Sequence, residues 1–378
     1  MRWNRLVAMA RKESLQILRD PRSLTIALTM PIVMMFFYGY GVNLDYKHVP
    51  LYVLDREGSQ PSQDLLKRFQ ASEYFELVRV VDNYPALVEA LDAGKCQLAV
   101  VIPHDFSQRL ASGRPASVQV LVDATDDNGA NIATGYAEAV VGAYAQEVQR
   151  DWLQRQGTAA APAPPIAVEA RTWFNEELES KDFIIPGIVA MVMAVIGAFL
   201  TSLTIAREWE RGTMEGLIAT PVTRLEIMVG KLAPYFVIGM LDTALCTLLA
   251  IAWFKVPFRG DWSTLLLSSA LFLLGVLGQG YFISVVAKSQ LAASQAALVS
   301  TLLPAFLLSG FLFAIEQMPA IVQTISRVIP ARYYVSIMKS VFLKGTPPAL
   351  LVEHLAALAI FSVLVMGLAT RAFHKRLI

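Results

Sequence analysis

The sequence predicts an α-helical polytopic membrane protein with six transmembrane helices and an α/β extracytoplasmic domain inserted between helices 1 and 2. Three observations carry that expectation. Of 378 residues, 55% are hydrophobic and 17% charged, with a mean hydropathy of +0.49, whereas a soluble domain has about 25% charged residues. Six apolar stretches reach the ~20 residues that a bilayer crossing needs: 23–43, 183–205, 230–253, 263–286, 292–313 and 350–370. Residues 44–182 depart from that pattern, with short β-rich runs alternating with helical ones, as an α/β domain requires.

In chain order, residues 1–22 (MRWNRLVAMARKESLQILRDPR) carry six Lys/Arg, while Trp3, Leu6, Val7, Ala10, Ile17 and Leu18 recur at helical spacing with basic residues opposite. This predicts an amphipathic helix in the membrane interface, ended by Pro21. The apolar run that follows is too long for a signal peptide and lacks a small-residue cleavage site, so it reads as an uncleaved anchor. In 44–182, PLYVLD, FELVRVV, CQLAVVIP and VQVLVD read as strands. SQDLLKRFQA, PALVEALDAG and DFSQRLASG read as helices between them, with a long helix near 129–156. Asn83 is placed to N-cap the second of these helices and Gly94 to end it. DATDDNGAN (123–131) has the residues of a ligand loop and equally those of a turn and helix cap. GTAAAPAPP (157–165) reads as an extended spacer.

The basic residues orient the spans. The side holding 1–22, the loop 206–229 up to Lys231, Lys288 and the tail 371–378 has fourteen Lys/Arg against six opposite, so both termini are expected in the cytoplasm. Residues 314–349 fall outside and read as short re-entrant helices dipping back into the outer leaflet. The net charge of +1 gives no global field for nucleic acid. Cys96 and Cys246 fall in different predicted compartments and the four histidines are scattered, which argues against a disulfide or a metal site. No GxxxxGK[ST], HExxH or GxSxG occurs, so neither a P-loop nor a recognisable catalytic motif is present.

Polar residues inside the spans are few. Asp242, near the middle of the third, is expected to face protein or water and to have a partner. It reads either as a contact for a cationic substrate or a dimer partner, or as a structural acid bonded to a Tyr, Ser or Thr. Gln279 and Gln295 read as ties between helices, and Pro304 as a bend in the fifth span. The small-residue run LAASQAAL (291–298) offers a candidate dimer contact.

Between spans two and three stands REWERGTMEGLIATP (207–221). On a helical wheel Glu208, Arg211 and Glu215 share one face, and Trp209, Thr213 and Leu217 another. Pro221 stops the helix, and Thr223 with Glu226 forms a capping box that opens the next one. Two readings stay open on these residues alone: an interfacial loop helix, or a docking element whose charges set register with a partner.

REWERGTMEGLIATPVTRLEIMVGK resembles the loop after the second span in permease subunits of type-two ATP-binding-cassette exporters, in particular the drug-exporter branch with a large periplasmic domain. Further pieces of the resemblance are KE (12–13), RDPRSL (19–24), FIIPGIV (183–189), LLPAFLLSGFLFAIEQMP (302–319) and IPARYYV (329–335), and it runs over nearly the whole chain. Ala206 stands where an acid is sometimes found. The resemblance implies a dimer of permeases, each seated on a separate ATPase that holds the ATP and Mg, so that this chain carries no cofactor and no catalytic residue. It implies that 206–229 contains a coupling helix with Glu208, Trp209, Glu210, Arg211, Gly212, Met214 and Glu215 as ATPase contacts, and that 1–20 is a connecting helix beside it. It also implies an inner-membrane location, with a periplasmic adaptor and an outer-membrane channel as further partners. Cargo of the drug type is the expectation, with a lipid or polysaccharide intermediate as the alternative. A ligand sensor is the reading from another class, and it lacks a cytoplasmic output domain.

Overall fold

The computed structural model describes residues 3–41, 47–125, 127–155 and 179–373. The spacer 157–165 and the end of the tail lie outside them. The chain divides into two compact units, Met1–Asn43 with Thr172–Ile378, and Leu44–Arg171. The first begins with α1 (Trp3–Leu18) and α2 (Pro21–Gly41). Pro21 opens α2 rather than simply closing α1. Its missing N–H and fixed φ suit a first helical position.

In the second unit β1 (Val49–Asp55), α3 (Gln60–Ala71), β2 (Phe75–Val80), α4 (Tyr84–Asp92), β3 (Leu98–Ile102), α5 (Phe106–Ala111), β4 (Gln119–Val122) and α6 (Asp127–Arg155) follow in turn. The sheet order is β2-β1-β3-β4, with β1 parallel to both neighbours and β4 antiparallel to β3. The chain moves outward from β1 to β2 and then back past β1 to β3. Crossovers of constant hand then put α3 and α4 on opposite faces. Accordingly Val49, Leu51 and Val53 pack with Leu65, Phe69, Ala133 and Ala137 on one side, while Tyr52 and Leu54 pack with Leu87 and Ala90 on the other. That double burial is why β1 is apolar throughout instead of alternating. Asn83 caps α4 by accepting from Ala86 N at 2.9 Å, and Gly94 takes φ +63° just past its end. The Asp-rich stretch begins as a turn, with Thr125 N donating to Asp123 Oδ1 at 3.0 Å.

Returning to the first unit, α7 (Ser180–Glu210), α8 (Met214–Ala219), α9 (Arg224–Ala252), α10 (Trp262–Ala287), α11 (Gln290–Leu307), α12 (Ala320–Ser326), α13 (Pro330–Lys339) and α14 (Val352–Ala372) complete the chain. Among the described residues six helices are long and apolar enough to cross a membrane. The central one is α7. It packs against α2, α9, α10, α11 and α13, and 89% of its apolar window is buried against 17% for the last span. Ser284 Oγ on α10 accepts from Ile205 N and Ala206 N of α7 at 2.9 Å each, pinning the two helices near one end.

The fifth apolar stretch is helical only to Leu307, short of the 313 expected. Gly310 then takes φ +76°, and its carbonyl accepts from Lys339 Nζ at 2.7 Å. Pro304 has no N–H for the Ser300 carbonyl one turn back. Gln279 Nε2 supplies a donor there instead, at 3.5 Å from Ser300 O and 3.3 Å from Ser300 Oγ. Of the short helices in 314–349, α13 is drawn into the bundle: Tyr334 is fully buried, stacked on Phe272 and bonded to Ser269 at 2.8 Å.

Candidate functional site

Where α1, α7 and α9 meet, three charged groups lie almost without solvent contact. Leu6, Met9, Glu13 and Ile17 recur at helical spacing and are the buried face of α1. That face lies on α9 so closely that a Cβ at Gly230 would stand 2.6 Å from the Met9 Cβ. Beside that crossing, Lys231 Nζ donates to Glu13 Oε2, one turn past Met9, at 2.9 Å and to Glu208 Oε1 at 3.0 Å. Lys231 is 0%, Glu13 1% and Glu208 3% exposed. Lys12, at the rim, reaches the same Glu208 oxygen at 3.1 Å, and Tyr235 OH donates to Glu13 Oε1 at 3.2 Å. Thr213 Oγ1 donates to the second Glu208 oxygen. Two carboxylates and two ammonium groups therefore balance, and every buried charge has a partner, as burial demands.

This cluster backs a surface turn. The stretch 207–221 is two helices and not the single one expected. α7 ends at Glu210, and Gly212 takes φ +69°, a left-handed conformation that glycine alone adopts without a side-chain penalty. Gly212 N donates to Trp209 O and Thr213 N to Glu208 O at 3.1 and 3.0 Å, closing the turn. In α8, Met214 and Leu217 are buried at 2% and 6%, which leaves Glu215 and Gly216 facing out. The capping box then opens α9: Glu226 N donates to Thr223 Oγ1 at 3.3 Å and Thr223 N to Glu226 Oε2 at 2.9 Å. Arg5 of α1 donates to the Pro221 carbonyl.

The residues read as partner contacts thus fall into three groups. Glu210, Arg211, Gly212 and Glu215 are exposed. Glu208 and Met214 are enclosed by this chain and act on the turn from behind. Trp209 is half-buried, with Lys288 Nζ 4.9 Å above its ring, and Glu210 accepts from Gln290 N at 2.7 Å. Both tie the turn to the corner between α10 and α11. Arg207 pairs with Asp20 at 3.3 Å. Sequence reasoning missed Glu13, Lys231, Tyr235 and the Arg207–Asp20 pair. The available signals were a lysine at the mouth of an apolar helix and a glutamate in register with Leu6, Met9 and Ile17.

The polar residues in the apolar helices do not join this cluster. Asp242 is 3% exposed, and among the described residues neither carboxylate oxygen has a hydrogen-bond partner. Of the readings offered for it, the bond to a Tyr, Ser or Thr of this chain is absent among the described residues. Two hydroxyls of the same helix are committed elsewhere, Tyr235 to Glu13 and Thr243 Oγ1 to Gly239 O at 2.8 Å. Gln279 bridges α10 to α11 as described. Gln295 faces outward on α11, so it does not tie helices within this chain.

Residues 22–371 match the family described as ABC-2 family transporter protein. The chain is 40% identical over 376 residues, 99% of its length and 98% of the relative's, to a protein of Escherichia coli (strain K12) named "Probable multidrug ABC transporter permease YbhS". It is 27% identical over 343 residues, 90% of both chains, to "Probable multidrug ABC transporter permease YbhR" of the same organism. To "ABC transporter permease protein NatB" of Bacillus subtilis (strain 168) it is 24% identical over 324 residues, covering 78% of this chain and 80% of that one.

Proposed function

The chain belongs to the ABC-2 family of transporter proteins, and on that premise we propose that it is the permease subunit of an exporter driven by a separate ATPase. Hydrophobic or amphipathic compounds, drugs foremost, are the cargo, moved outward across the inner membrane. The names of the relatives support permease work and drug cargo. The six apolar helices and the excess of basic residues on one side support a multi-pass protein with both termini in the cytoplasm. In that orientation the second unit stands in the periplasm, where an adaptor and an outer-membrane channel would take the cargo on.

The single observation that carries the reading is the 210–219 turn. It offers Glu210, Arg211 and Glu215 to a partner and has no slack on either side, because α7 enters it directly and α9 leaves it through a capping box. Behind it the Glu13–Lys231–Glu208 cluster fixes it to α1. A displacement imposed by an ATPase closing on ATP would pass straight into the two helices. ATP and Mg are held in that ATPase, and a second permease copy completes the pair.

Extraction in mild detergent with mass spectrometry of the complex tests this. Expected is an ATPase with a P-loop that copurifies with the wild type and is lost in Glu215→Arg, a variant whose exposed site leaves folding unchanged. A permease that purifies alone in both forms, or drug-stimulated ATPase activity untouched by the reversal, would remove the docking assignment.

A further inference from the structure

We propose that a cleft between α1, α2, α7 and the start of α11 binds the phosphate headgroup of an anionic phospholipid from the leaflet that α1 borders. The cleft has a volume of about 820 Å³ and is bounded by Lys12, Arg19, Asp20, Arg207 and Arg211, with Leu15, Ile26, Phe199 and Leu203 below them and Gln16 and Gln290 at the sides. Four cations face one carboxylate. Arg207 is committed in part to Asp20 at 3.3 Å, and Lys12 to Glu208 at 3.1 Å. Arg19 and Arg211 are exposed and have no ion-pair partner among the described residues. Two arginines are thus left over at the mouth of a cleft, and guanidinium groups bind phosphate through paired hydrogen bonds.

The order of residues along the walls matches the order of groups along a lipid. On α7 and its C-cap, Phe199, Leu203, Arg207 and Arg211 recur every four residues, so they form one stripe that advances about 6 Å per step. It is apolar in its inner half and cationic in its outer half. On α2 the apolar window begins at Leu24, placing Ile26 inside it and Arg19 just before it. On α1, Lys12, Leu15 and Gln16 share a face, and Arg19 follows just past its end. The same helix leaves Trp3, Val7, Leu15 and Leu18 between 43% and 72% exposed, a second apolar face that a membrane surface would cover. Acyl carbons would lie on Ile26, Phe199 and Leu203, glycerol oxygens beside Gln16 and Gln290, and the phosphate between Arg19 and Arg211. Basic pockets at the membrane ends of spanning helices are the sites where anionic headgroups are held. The assignment needs only that α2 and α7 cross a bilayer, and it is independent of cargo and of transport direction.

The test is native mass spectrometry of the full chain, without its ATPase, incubated with equimolar phosphatidylglycerol and phosphatidylcholine. Expected is selective retention of phosphatidylglycerol, with Arg19→Gln and Arg211→Gln each lowering it about five-fold. Phosphatidylcholine retention and thermal melting should be unchanged, and Arg19→Lys should keep most of the binding. Equal retention of the two lipids would overturn the proposal, as would both glutamine variants holding phosphatidylglycerol at the wild-type level. Displacement of the lipid by excess inorganic phosphate would overturn the lipid source and assign the cleft to a soluble phosphate instead.

Discussion

Lys231 is reached by carboxylates from two other helices, Glu13 on α1 and Glu208 on α7, and has no exposed surface of its own. Removing its charge would leave two buried acids sharing the one half-exposed ammonium of Lys12. Lys231→Met is therefore expected to lose about 3–5 kcal/mol of stability, the usual result of breaking a buried pair from one side. Adding Glu13→Gln restores the charge balance around Glu208, so the double variant should melt above the single one. Thermal unfolding in detergent would read this non-additivity, and additive losses would mean that the groups do not act as a unit. The sequence signals for this cluster were weak for a physical reason. A hydropathy window treats a lysine as the edge of a span, and only the three-dimensional crossing at Gly230 tells which acid it meets. Glu208 was legible as a charged residue on a helix face, but its direction was not, because the helix ends two residues later.

At the scale of elements, local rules were most readable where one residue type has one purpose. Thr223 and Glu226 form the reciprocal cap their spacing implied, and Asn83 caps α4. The strands and helices of the second unit lie where short β-rich runs and the helical patterns between them put them. What periodicity could not reveal was the break at Gly212, since the wheel positions of 207–217 suit a continuous helix as well as a broken one. The break has a testable contrast built in. Gly212 takes φ +69°, whereas Gly216 lies within α8 with open space around it. Gly212→Ala should cost about 1 kcal/mol through left-handed strain, and Gly216→Ala should gain about 0.5–1 kcal/mol through helix propensity. Melting temperatures that fall for both variants, or rise for both, would contradict the two-helix turn. The two apolar faces of α1 carry the same lesson. Six apolar residues at helical spacing announced an interfacial helix, but Leu6 and Ile17 serve the bundle while Trp3 and Leu18 remain open.

For the whole molecule, hydropathy locates apolar helices but not their places. The first, fifth and last spans have windows only 22%, 22% and 17% buried, yet they are apolar enough to cross just as α7 is. Their open faces are surfaces that lipid or a second copy would cover. Orientation is different, because it follows from basic residues counted along the sequence, and it can be tested with single thiols. Cys96 and Cys246 are 2% and 0% exposed, so neither native thiol should react with an impermeant maleimide. Ala219→Cys on α8 and Glu89→Cys on α4 put exposed thiols on the turn and on the second unit. If the basic loops are cytoplasmic, Glu89→Cys should label in cells whose outer membrane alone has been permeabilised, and Ala219→Cys only after the inner membrane is broken. Labelling of Ala219→Cys from outside would invert the molecule and put the turn out of reach of any cytoplasmic ATPase. Labelling of both positions from one side would contradict a single crossing by α7, the one apolar helix between the second unit and α8.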